Sequence, residues 1–326
     1  MTSTPGATDR TDPTRDLSGP VDATAAHDAL GAVRAEVAKA VVGQDAAVSG
    51  LLVALLARGH VLLEGVPGVA KTLLVRSLAA ALDVDTKRVQ FTPDLMPGDL
   101  TGSMVIEGGG AGGAAGLRFR EGPVFTHLLL ADEVNRTPPK TQSALLEAME
   151  EGQVSTDGAT RRLPSPFLVA ATQNPVEHEG TYPLPERDQE VAILRRHAAG
   201  FDPQDVAAAG VMAVAGAAHV EAGIAAVREV RVGEEVGAYI VDLARATRES
   251  PSLVLGVSPR GATALLRSAR AWAWLTGRDF VTPDDVKALA HATLAHRLAL
   301  RPEAELDGVA VDQVLDTAIA SVPVPR

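Results

Sequence analysis

An eight-residue stretch has the residue types that bind the phosphates of a nucleotide. Residues 65–72 read Gly-Val-Pro-Gly-Val-Ala-Lys-Thr, the phosphate-loop spacing G-x-x-x-x-G-K-T except that Ala70 replaces the second glycine. Successive backbone N–H groups can cradle the β-phosphate, Lys71 can reach the β- and γ-phosphates, and the Thr72 hydroxyl can hold Mg²⁺. The alternative is a plain strand-to-helix turn with one lysine, but the flanking apolar runs favour binding of ATP with Mg²⁺.

An acidic pair follows a second apolar run and complements this loop. Residues 127–133 read His-Leu-Leu-Leu-Ala-Asp-Glu. At the carboxyl end of a buried strand, Asp132 can bind the water shell of Mg²⁺ and Glu133 can polarise the water that attacks the γ-phosphate. Such a pair can also be a simple turn or helix cap. In a chain with a phosphate loop, the pair predicts ATP hydrolysis.

The elements that must position these residues follow from hydrophobic periodicity. Short apolar runs predict strands at 60–64, 88–91, 127–131 and 167–171. Helical spacing predicts helices at 23–39, 44–57, 73–82 and 140–150. A hairpin is predicted at 152–163, around Asp157-Gly158, and the Gly- and Ala-rich stretch 108–116 is predicted to be flexible or a hairpin tip.

The fold class that this order predicts is α/β, with a mostly parallel sheet in a three-layer αβα phosphate-loop core. Beyond Tyr182 we predict no strand, only the helices 189–197, 233–248, 258–275 and 283–299. These helices would form a small all-α lid. The predicted divisions are a disordered tail at 1–22, a nucleotide-binding core at 23–186 and a lid at 187–326.

Composition limits the possible functions. The 326 residues carry a net charge of −11, which argues against coating duplex DNA, and aromatic residues make up only 3%. With no cysteine there is no disulfide, thiolate metal site or cysteine nucleophile, and the eight histidines show no zinc-binding spacing. A cytoplasmic location is predicted.

Neither of two segments that could suggest export or membrane insertion has the required pattern. Residues 1–20 lack the basic start and apolar stretch of a secretory signal. The small-apolar stretch 206–227 is mostly Ala and Gly and is interrupted by His219 and Glu221. We therefore predict no membrane insertion.

Taken in order, the motifs resemble those of MoxR-type AAA+ ATPases, in the helix-2-insert group that includes magnesium chelatase subunits. The resemblance covers nearly everything after the tail. It is carried by the phosphate loop in its Ala-Lys-Thr form and by Val42-Gly-Gln44, Gln90-Phe-Thr-Pro-Asp-Leu-Met-Pro-Gly-Asp99, Asp132-Glu-Val-Asn-Arg136, Ala171-Thr-Gln-Asn-Pro175, Gly180-Thr-Tyr-Pro-Leu-Pro185 and Ser258-Pro-Arg260.

The resemblance implies roles for further residues. Asn174 matches the polar sensor that orients water near the γ-phosphate, and Arg260 matches a lid arginine that reaches the nucleotide of the same subunit. Otherwise Asn174 is a turn residue and Arg260 a solvated charge. Gly43 and Gln44 match the segment near adenine, which could otherwise be a helix break. The predicted nucleotide-binding residues are thus Gly43, Gln44, Gly65, Val66, Pro67, Gly68, Val69, Ala70, Lys71, Thr72 and Leu73.

The function that the resemblance implies is ATP-driven, chaperone-like remodelling by a homo-oligomeric ring, expected to be a hexamer. It implies a partner with a von Willebrand factor A-type domain. The stretch 108–116 and the hairpin 152–163 are the expected client contacts, or else surface decoration. Asn135 and Arg136 could contact a neighbouring subunit or cap a helix.

The alternatives to this remodelling function are a nucleotide-dependent binding switch, a nucleic-acid motor and a small-molecule phosphotransferase. The acidic net charge disfavours stable nucleic-acid binding.

One stretch departs from the family pattern. After Pro-Leu-Pro-Glu the family usually has a segment containing Asp-Arg-Phe, a further strand and an arginine finger for the adjacent subunit. Here Glu186 is followed by Arg187-Asp188-Gln189, which runs straight into a predicted helix. An arginine finger of this kind increases the turnover rate by a factor of roughly 10³ to 10⁵. The gap is consistent with a shortened sequence, with a degenerate member that hydrolyses ATP poorly, or with an arginine recruited from elsewhere.

Overall fold

The computed structural model describes residues 19–65, 71–107, 116–173, 187–198, 200–203 and 205–325. The helices are α1 (Ala23–Ala40), α2 (Asp45–Leu56), α3 (Lys71–Ala81), α4 (Pro97–Thr101), α5 (Pro139–Glu151), α6 (Arg187–Ala198), α7 (Ala217–Glu229), α8 (Glu234–Glu249), α9 (Pro259–Leu275), α10 (Pro283–Leu294), α11 (Pro302–Leu306) and α12 (Val311–Ser321). The strands are β1 (Val61–Glu64), β2 (Thr86–Gln90), β3 (Gly102–Glu107), β4 (Gly116–Glu121), β5 (Leu128–Asp132), β6 (Gln153–Thr156), β7 (Ala159–Arg162), β8 (Leu168–Gln173), β9 (Leu253–Leu255) and β10 (Ala299–Leu300).

The central sheet has the order β1-β8-β5-β2, and each neighbouring pair is parallel. Every residue of β5 is buried, as expected for a strand covered on both faces. The register pairs Leu63 with Thr172 and Gln90 with Asp132, so polar residues of three strands come together at the carboxyl edge. The predicted α/β class with a parallel sheet is confirmed.

Alternating side chains divide the sheet between two apolar clusters. Leu128 and Leu130 of β5 pack on one face, with α1, α2 and α3, whereas Leu129 packs on the other face, with Leu145 of α5. This period of two is the geometry of an extended strand. The sheet is therefore the middle of three layers, as predicted.

Within the described residues β1 is an edge strand, since its only partner is β8. Leu62 is 40% exposed there. The family resemblance implies that the segment missing after Glu186 would normally supply the last strand of the sheet. Residues 174–186 lie outside the described part of the chain.

A separate apolar cluster lies among α8, α9, α10 and α12. Helix α10 begins where predicted, because Thr282 and Asp285 cap each other's backbone N–H groups. The prediction that this region has no strand is wrong, because β9 and β10 form a two-stranded antiparallel sheet. Strands of three and two residues are too short to show an alternating pattern.

Helix α7 was not predicted, nor was α12. Most of α7 is Ala, Val and Gly, so its sequence has little contrast between faces. It packs on α1 and α2 at close range: a Cβ at Gly223 would lie 2.8 Å from Leu56 Cδ2 and 3.0 Å from Leu30 Cδ1. Among the described residues no helix is both long and apolar enough to cross a bilayer.

Two hairpins project from this core. Strands β3 and β4 pair antiparallel, as do β6 and β7. The predicted turn of the second hairpin is confirmed, since Asp157 and Gly158 have φ of 54° and 75°. Most of the stretch predicted to be a flexible segment or hairpin tip, 108–115, lies outside the described residues.

Candidate functional site

Lys71 is the first residue of α3, the helix that follows β1 in the chain. Its Nζ donates a 2.7 Å hydrogen bond to the carbonyl of Gly65. Burial lowers the pKa of Lys71, while the carboxylates of Asp132, Glu133 and Glu64 act in the opposite direction. This electrostatic coupling shows that the predicted phosphate lysine and the predicted acidic pair lie close together.

The rest of the predicted phosphate loop is divided between described and undescribed residues. Thr72 and Leu73 form the first turn of α3 with Lys71. Val66, Pro67, Gly68, Val69 and Ala70 lie outside the described residues. The structure therefore describes only the two ends of this loop, Gly65 and the Lys71–Leu73 turn. The Lys71 hydrogen bond joins them.

Asp132 is the buried end of β5, with only 7% of the residue exposed. Its Oδ1 accepts a 2.9 Å hydrogen bond from Thr172 Oγ1, and its Oδ2 accepts a 2.6 Å bond from Arg88 Nε. Each carboxylate oxygen has two lone pairs, so both can still accept from water or a metal shell. These bonds fix the carboxylate at the sheet edge.

Glu133 has a left-handed backbone, with φ of 58°. This conformation is uncommon for a residue other than glycine and is often found at functional sites. The Glu133 N–H donates to Thr172 Oγ1 at 3.0 Å, and its Oε2 accepts from Gln90 Nε2 at 2.6 Å. Arg136 Nη1 lies 3.2 Å from the same oxygen. The strained turn thus aims the Glu133 carboxylate back across the end of β2.

Three residues of this cluster were missed by sequence reasoning: Arg88, Gln90 and Thr172. Gln90 and Thr172 lie within stretches that carried the family resemblance, but neither had a role assigned. Arg136 was expected to contact a neighbouring subunit or cap a helix, and in this structure it pairs with Glu133. Asn174, the predicted water-orienting residue, lies outside the described residues.

The predicted adenine segment lies between α1 and α2. Gly43 has φ of +72°, which favours glycine, and a side chain at that position would collide with Gln189 of α6. Gln44 is the N-cap residue that immediately precedes α2. Helix α6 therefore packs directly against this segment.

Arg260 forms an ion pair with a carboxylate of α5. Its Nη2 is 2.7 Å from Glu150 Oε1, in the last turn of α5. The neighbouring Met149 carbonyl lies 3.0 Å from His60 Nε2, at the start of β1. The predicted contact of Arg260 with its own subunit's nucleotide stays a prediction.

Comparisons with known proteins agree with this geometry. Residues 60–194 match the family described as "ATPase family associated with various cellular activities (AAA)", and residues 245–318 match the AAA lid domain. The chain is 38% identical to Chaperone MoxR1 of Mycobacterium tuberculosis, over 89% of this chain and 81% of the relative. The chain belongs to the MoxR family of AAA ATPases.

Two other similarities extend over nearly the whole MoxR-family chain. Uncharacterized protein YeaC of Bacillus subtilis is 44% identical, with 92% of this chain and 96% of the relative covered. A crystal structure of a candidate ATPase from Cytophaga hutchinsonii superposes with a TM-score of 0.81 at 38% identity, covering 93% of this chain and 97% of that chain. The AAA+ core with a helical lid is therefore the fold of this protein.

The described residues fit a nucleotide with Mg²⁺. In this MoxR-family chain, Lys71 places a cation beside two carboxylates at the carboxyl edge of a parallel sheet, the usual ligand edge of such sheets. Thr72 and Asp132 provide oxygen atoms, which Mg²⁺ prefers. Nucleotide binding is thus consistent with both the family and the donor set.

Proposed function

We propose that this MoxR-family chain hydrolyses ATP to ADP and phosphate with Mg²⁺ and uses turnover to remodel partner proteins. The observation that carries the proposal is the cluster of Lys71, Asp132, Glu133 and Thr172, from α3, β5, the turn after β5, and β8. The roles that we propose for this sheet edge are a phosphate-binding cation, a metal-binding carboxylate and a base. Hydrolysis needs these three roles.

Each residue has a defined part in the proposed reaction. Lys71 would hold the β- and γ-phosphates, while Thr72 and Asp132 would hold the metal, which supplies charge neutralisation at the phosphate oxygens. Glu133 would accept the proton of the water whose oxygen attacks the γ-phosphorus, as the bond to the β–γ bridging oxygen breaks. Thr172 fixes Asp132 and the Glu133 backbone together. Asn174 is proposed to orient the same water.

The chaperone-like part of the proposal is supported by a relative named as a chaperone, MoxR1. A homo-oligomeric ring, expected to have six subunits, and a partner with a von Willebrand factor A-type domain follow from the family resemblance. A cytoplasmic location and the division into a core at 23–186 and a lid at 187–326 belong to the same proposal.

The two hairpins are the proposed client contact. Ile106 and Leu117 are paired across β3 and β4 and are 74% and 69% exposed. Nearer the core, the Arg161 guanidinium of β7 lies 3.7 Å from the centre of the Phe119 ring of β4. This cation–π contact joins the hairpins. Together they present apolar side chains beside a cleft of about 590 Å³ between α4, α5 and β6.

The proposed activity is tested by Mg²⁺-dependent ATP hydrolysis across a range of protein concentrations. Lys71→Ala should abolish hydrolysis and weaken ATP binding, whereas Lys140→Ala, at an exposed position on α5, should leave both unchanged. Activity per subunit that rises with concentration supports an assembled enzyme. Wild-type protein that binds ATP but hydrolyses no more than Lys71→Ala would contradict the proposal and favour a binding switch.

A further inference from the structure

A cleft lies where the β3–β4 hairpin and the β6–β7 hairpin approach each other. In the first hairpin Met104 lies opposite Phe119, and in the second Val154 lies opposite Arg161. Residues directly opposite each other in an antiparallel pair lie on the same face. Phe119 packs on the apolar cluster that contains Val154, and the Arg161 guanidinium lies over its ring. The Met104 face and the Val154 face are therefore turned toward each other, and both residues line the cleft.

The other walls of the cleft come from helices α4 and α5. Pro97 of α4 and Ala144 of α5 add apolar surface to that of Met104 and Val154. The volume of about 590 Å³ is within the range of about 300 to 1,000 Å³ that is usual for ligand-binding cavities. The cleft therefore has room for more than one side chain of a bound segment.

The ionised side chains that line this cleft are acidic. Glu147 of α5 and Asp157 of the β6–β7 turn both line it, and both are exposed to solvent. Within the described part of the chain, neither carboxylate forms an ion pair and no lysine or arginine lines the cleft. Arg161 contacts a lining residue, since its Nη1 donates to the carbonyl of Thr156 at 3.2 Å, but it pairs with neither carboxylate. Both carboxylates are thus available to a cation of a ligand.

The apolar face of the β3–β4 hairpin continues beyond the cleft. Ile106 is two residues from Met104 in β3, so the two side chains lie on the same face, and Leu117 lies opposite Ile106. Ile106 and Leu117 are both largely exposed. The strand rises about 7 Å from Met104 to Ile106. An extended ligand that follows β3 can therefore pack apolar side chains on this face while a neighbouring side chain reaches the carboxylates.

We propose that this acidic cleft docks an extended segment of the partner protein that contains both apolar residues and Lys or Arg. The proposal rests on the remodelling function proposed above and names the class of segment that the chain takes from its partner. Apolar side chains of the segment pack on Met104, Val154 and Ile106. Its cations pair with Glu147 and Asp157.

Charge favours this occupant over others. The phosphates of a nucleic acid and the carboxylates of an acidic segment would both meet like charge at Glu147 and Asp157. A second copy of this chain, with a net charge of −11, is a poorer match than a basic segment. A purely polar basic segment would leave the face of Met104 and Ile106 uncovered. Burial of apolar surface supplies the driving force for binding, and the charges supply the specificity.

The test measures the binding of short fluorescent peptides to the full chain by fluorescence anisotropy. In the first peptide Val alternates with Lys, in the second Val alternates with Glu, and in the third Ser alternates with Lys. The wild type should bind the Val–Lys peptide more tightly than either of the others. Equal binding of the Val–Lys and Val–Glu peptides, or no binding of the Val–Lys peptide, would overturn the proposal.

Two substitutions of similar shape remove the charges. Glu147→Gln and Asp157→Asn should each weaken binding of the Val–Lys peptide by up to about fivefold, as for a solvent-exposed ion pair, and added salt should reduce the difference. Asparagine tolerates the left-handed backbone of Asp157, with φ of 54°, so the turn is kept. Glu151→Gln, at an exposed position on α5 outside the cleft, is the matched control and should bind as the wild type does.

A charge reversal separates recognition from a loss of folding. Glu147→Lys should bind the Val–Glu peptide more tightly than the Val–Lys peptide, whereas a folding defect would weaken both. If Glu147→Gln and Asp157→Asn bind the Val–Lys peptide as tightly as Glu151→Gln does, the proposal is wrong. It is also wrong if Glu147→Gln alters self-association in analytical ultracentrifugation but not peptide binding, because the cleft is then a contact between copies.

ATP hydrolysis is measured separately, so that the two proposals can fail independently. Lys71→Ala should bind the Val–Lys peptide as the wild type does, because Lys71 does not line the cleft. Charge-dependent peptide binding by a wild type that hydrolyses no ATP would support the acidic cleft and contradict the proposed hydrolysis. Hydrolysis without charge-dependent peptide binding would contradict the acidic cleft alone.

Discussion

The Gln90 amide donates a 2.6 Å hydrogen bond to the carboxylate of Glu133, the proposed base. The register of β2 and β5 makes this contact possible, since Gln90 lies opposite Asp132. Arg136 contacts the same oxygen of Glu133 at 3.2 Å. The oxygen that would accept a proton from water is therefore held by two side chains of its own subunit, and hydrolysis should be restrained until these contacts open.

Gln90→Ala should raise ATP hydrolysis in the absence of a client. A hydrogen bond to a charged group contributes about 1.5 to 3 kcal/mol, so its loss should increase turnover by about tenfold or more. Steady-state turnover at saturating ATP measures this. Gln153→Ala, a glutamine of β6, is the control and should not change the rate. A fall in turnover for Gln90→Ala would mean that Gln90 positions Glu133 rather than restrains it.

Arg88→Ala should lower the Mg²⁺ concentration needed for half-maximal activity. The Arg88 guanidinium contacts Asp132 Oδ2 at 2.6 Å and competes there with a metal shell. Because the Arg88 side chain is 57% exposed, solvent screens the pair and the expected shift is only a few-fold. A Mg²⁺ titration at fixed ATP tests this, with Arg34→Ala as an exposed control. An unchanged or higher requirement would contradict the expectation.

Arg278→Ala should destabilise the lid much more than Arg231→Ala. Arg278 makes two bonds, of 2.6 and 2.5 Å, to Asp285, which is only 3% exposed. Removing the arginine leaves a buried carboxylate with only its hydrogen bonds from Thr282 and no opposite charge, at a cost of about 3 kcal/mol in the free energy of unfolding. The Arg231–Asp279 pair is 72% and 76% exposed, so its loss should cost less than about 1 kcal/mol. Urea unfolding measures both, and equal losses would refute the distinction.

His60 should make the core sensitive to acid. Its Nδ1 accepts a 3.0 Å bond from the Val169 N–H, and burial lowers its pKa, against the opposing effect of the Met149 carbonyl. The folded state thus favours neutral imidazole, and the stability from this site is present above the ordinary pKa of about 6.5 and is lost as the pH falls below it. The free energy of unfolding should fall between pH 7.5 and 5.5 more steeply for the wild type than for His60→Gln. Equal slopes would exclude His60 as the cause.

His291 should have the opposite pH dependence. Burial alone would lower its pKa, but hydrogen bonds to Asp312 and Asp316 outweigh burial and raise it. Its two nitrogens lie 3.1 and 2.8 Å from those carboxylates, so the protonated ring links α10 to α12. Stability from this link is fully present below pH about 6.5 and is lost as the pH rises through the raised pKa. The advantage of the wild type over His291→Gln should therefore shrink with rising pH; growth would contradict the assignment.

Local chemistry could be predicted from the sequence because it depends on residues close together in the chain. The spacing of Gly65, Lys71 and Thr72 and the apolar run before Asp132 predicted a phosphate loop and a metal-binding strand end. The same periodicity predicted the four parallel strands, which are confirmed. Patterns of two and 3.6 residues reflect backbone geometry alone, so no tertiary information was needed.

Only the tertiary structure decided which distant side chains meet. Strand register brought Gln90 and Arg88 to the acidic pair, and packing of the lid placed Arg260 on Glu150. These pairs are separated by tens of residues or more, and a shift of one residue in register would send each strand side chain to the opposite face. The sequence determined the chemistry that is available, whereas the packing determined which distant groups contact it.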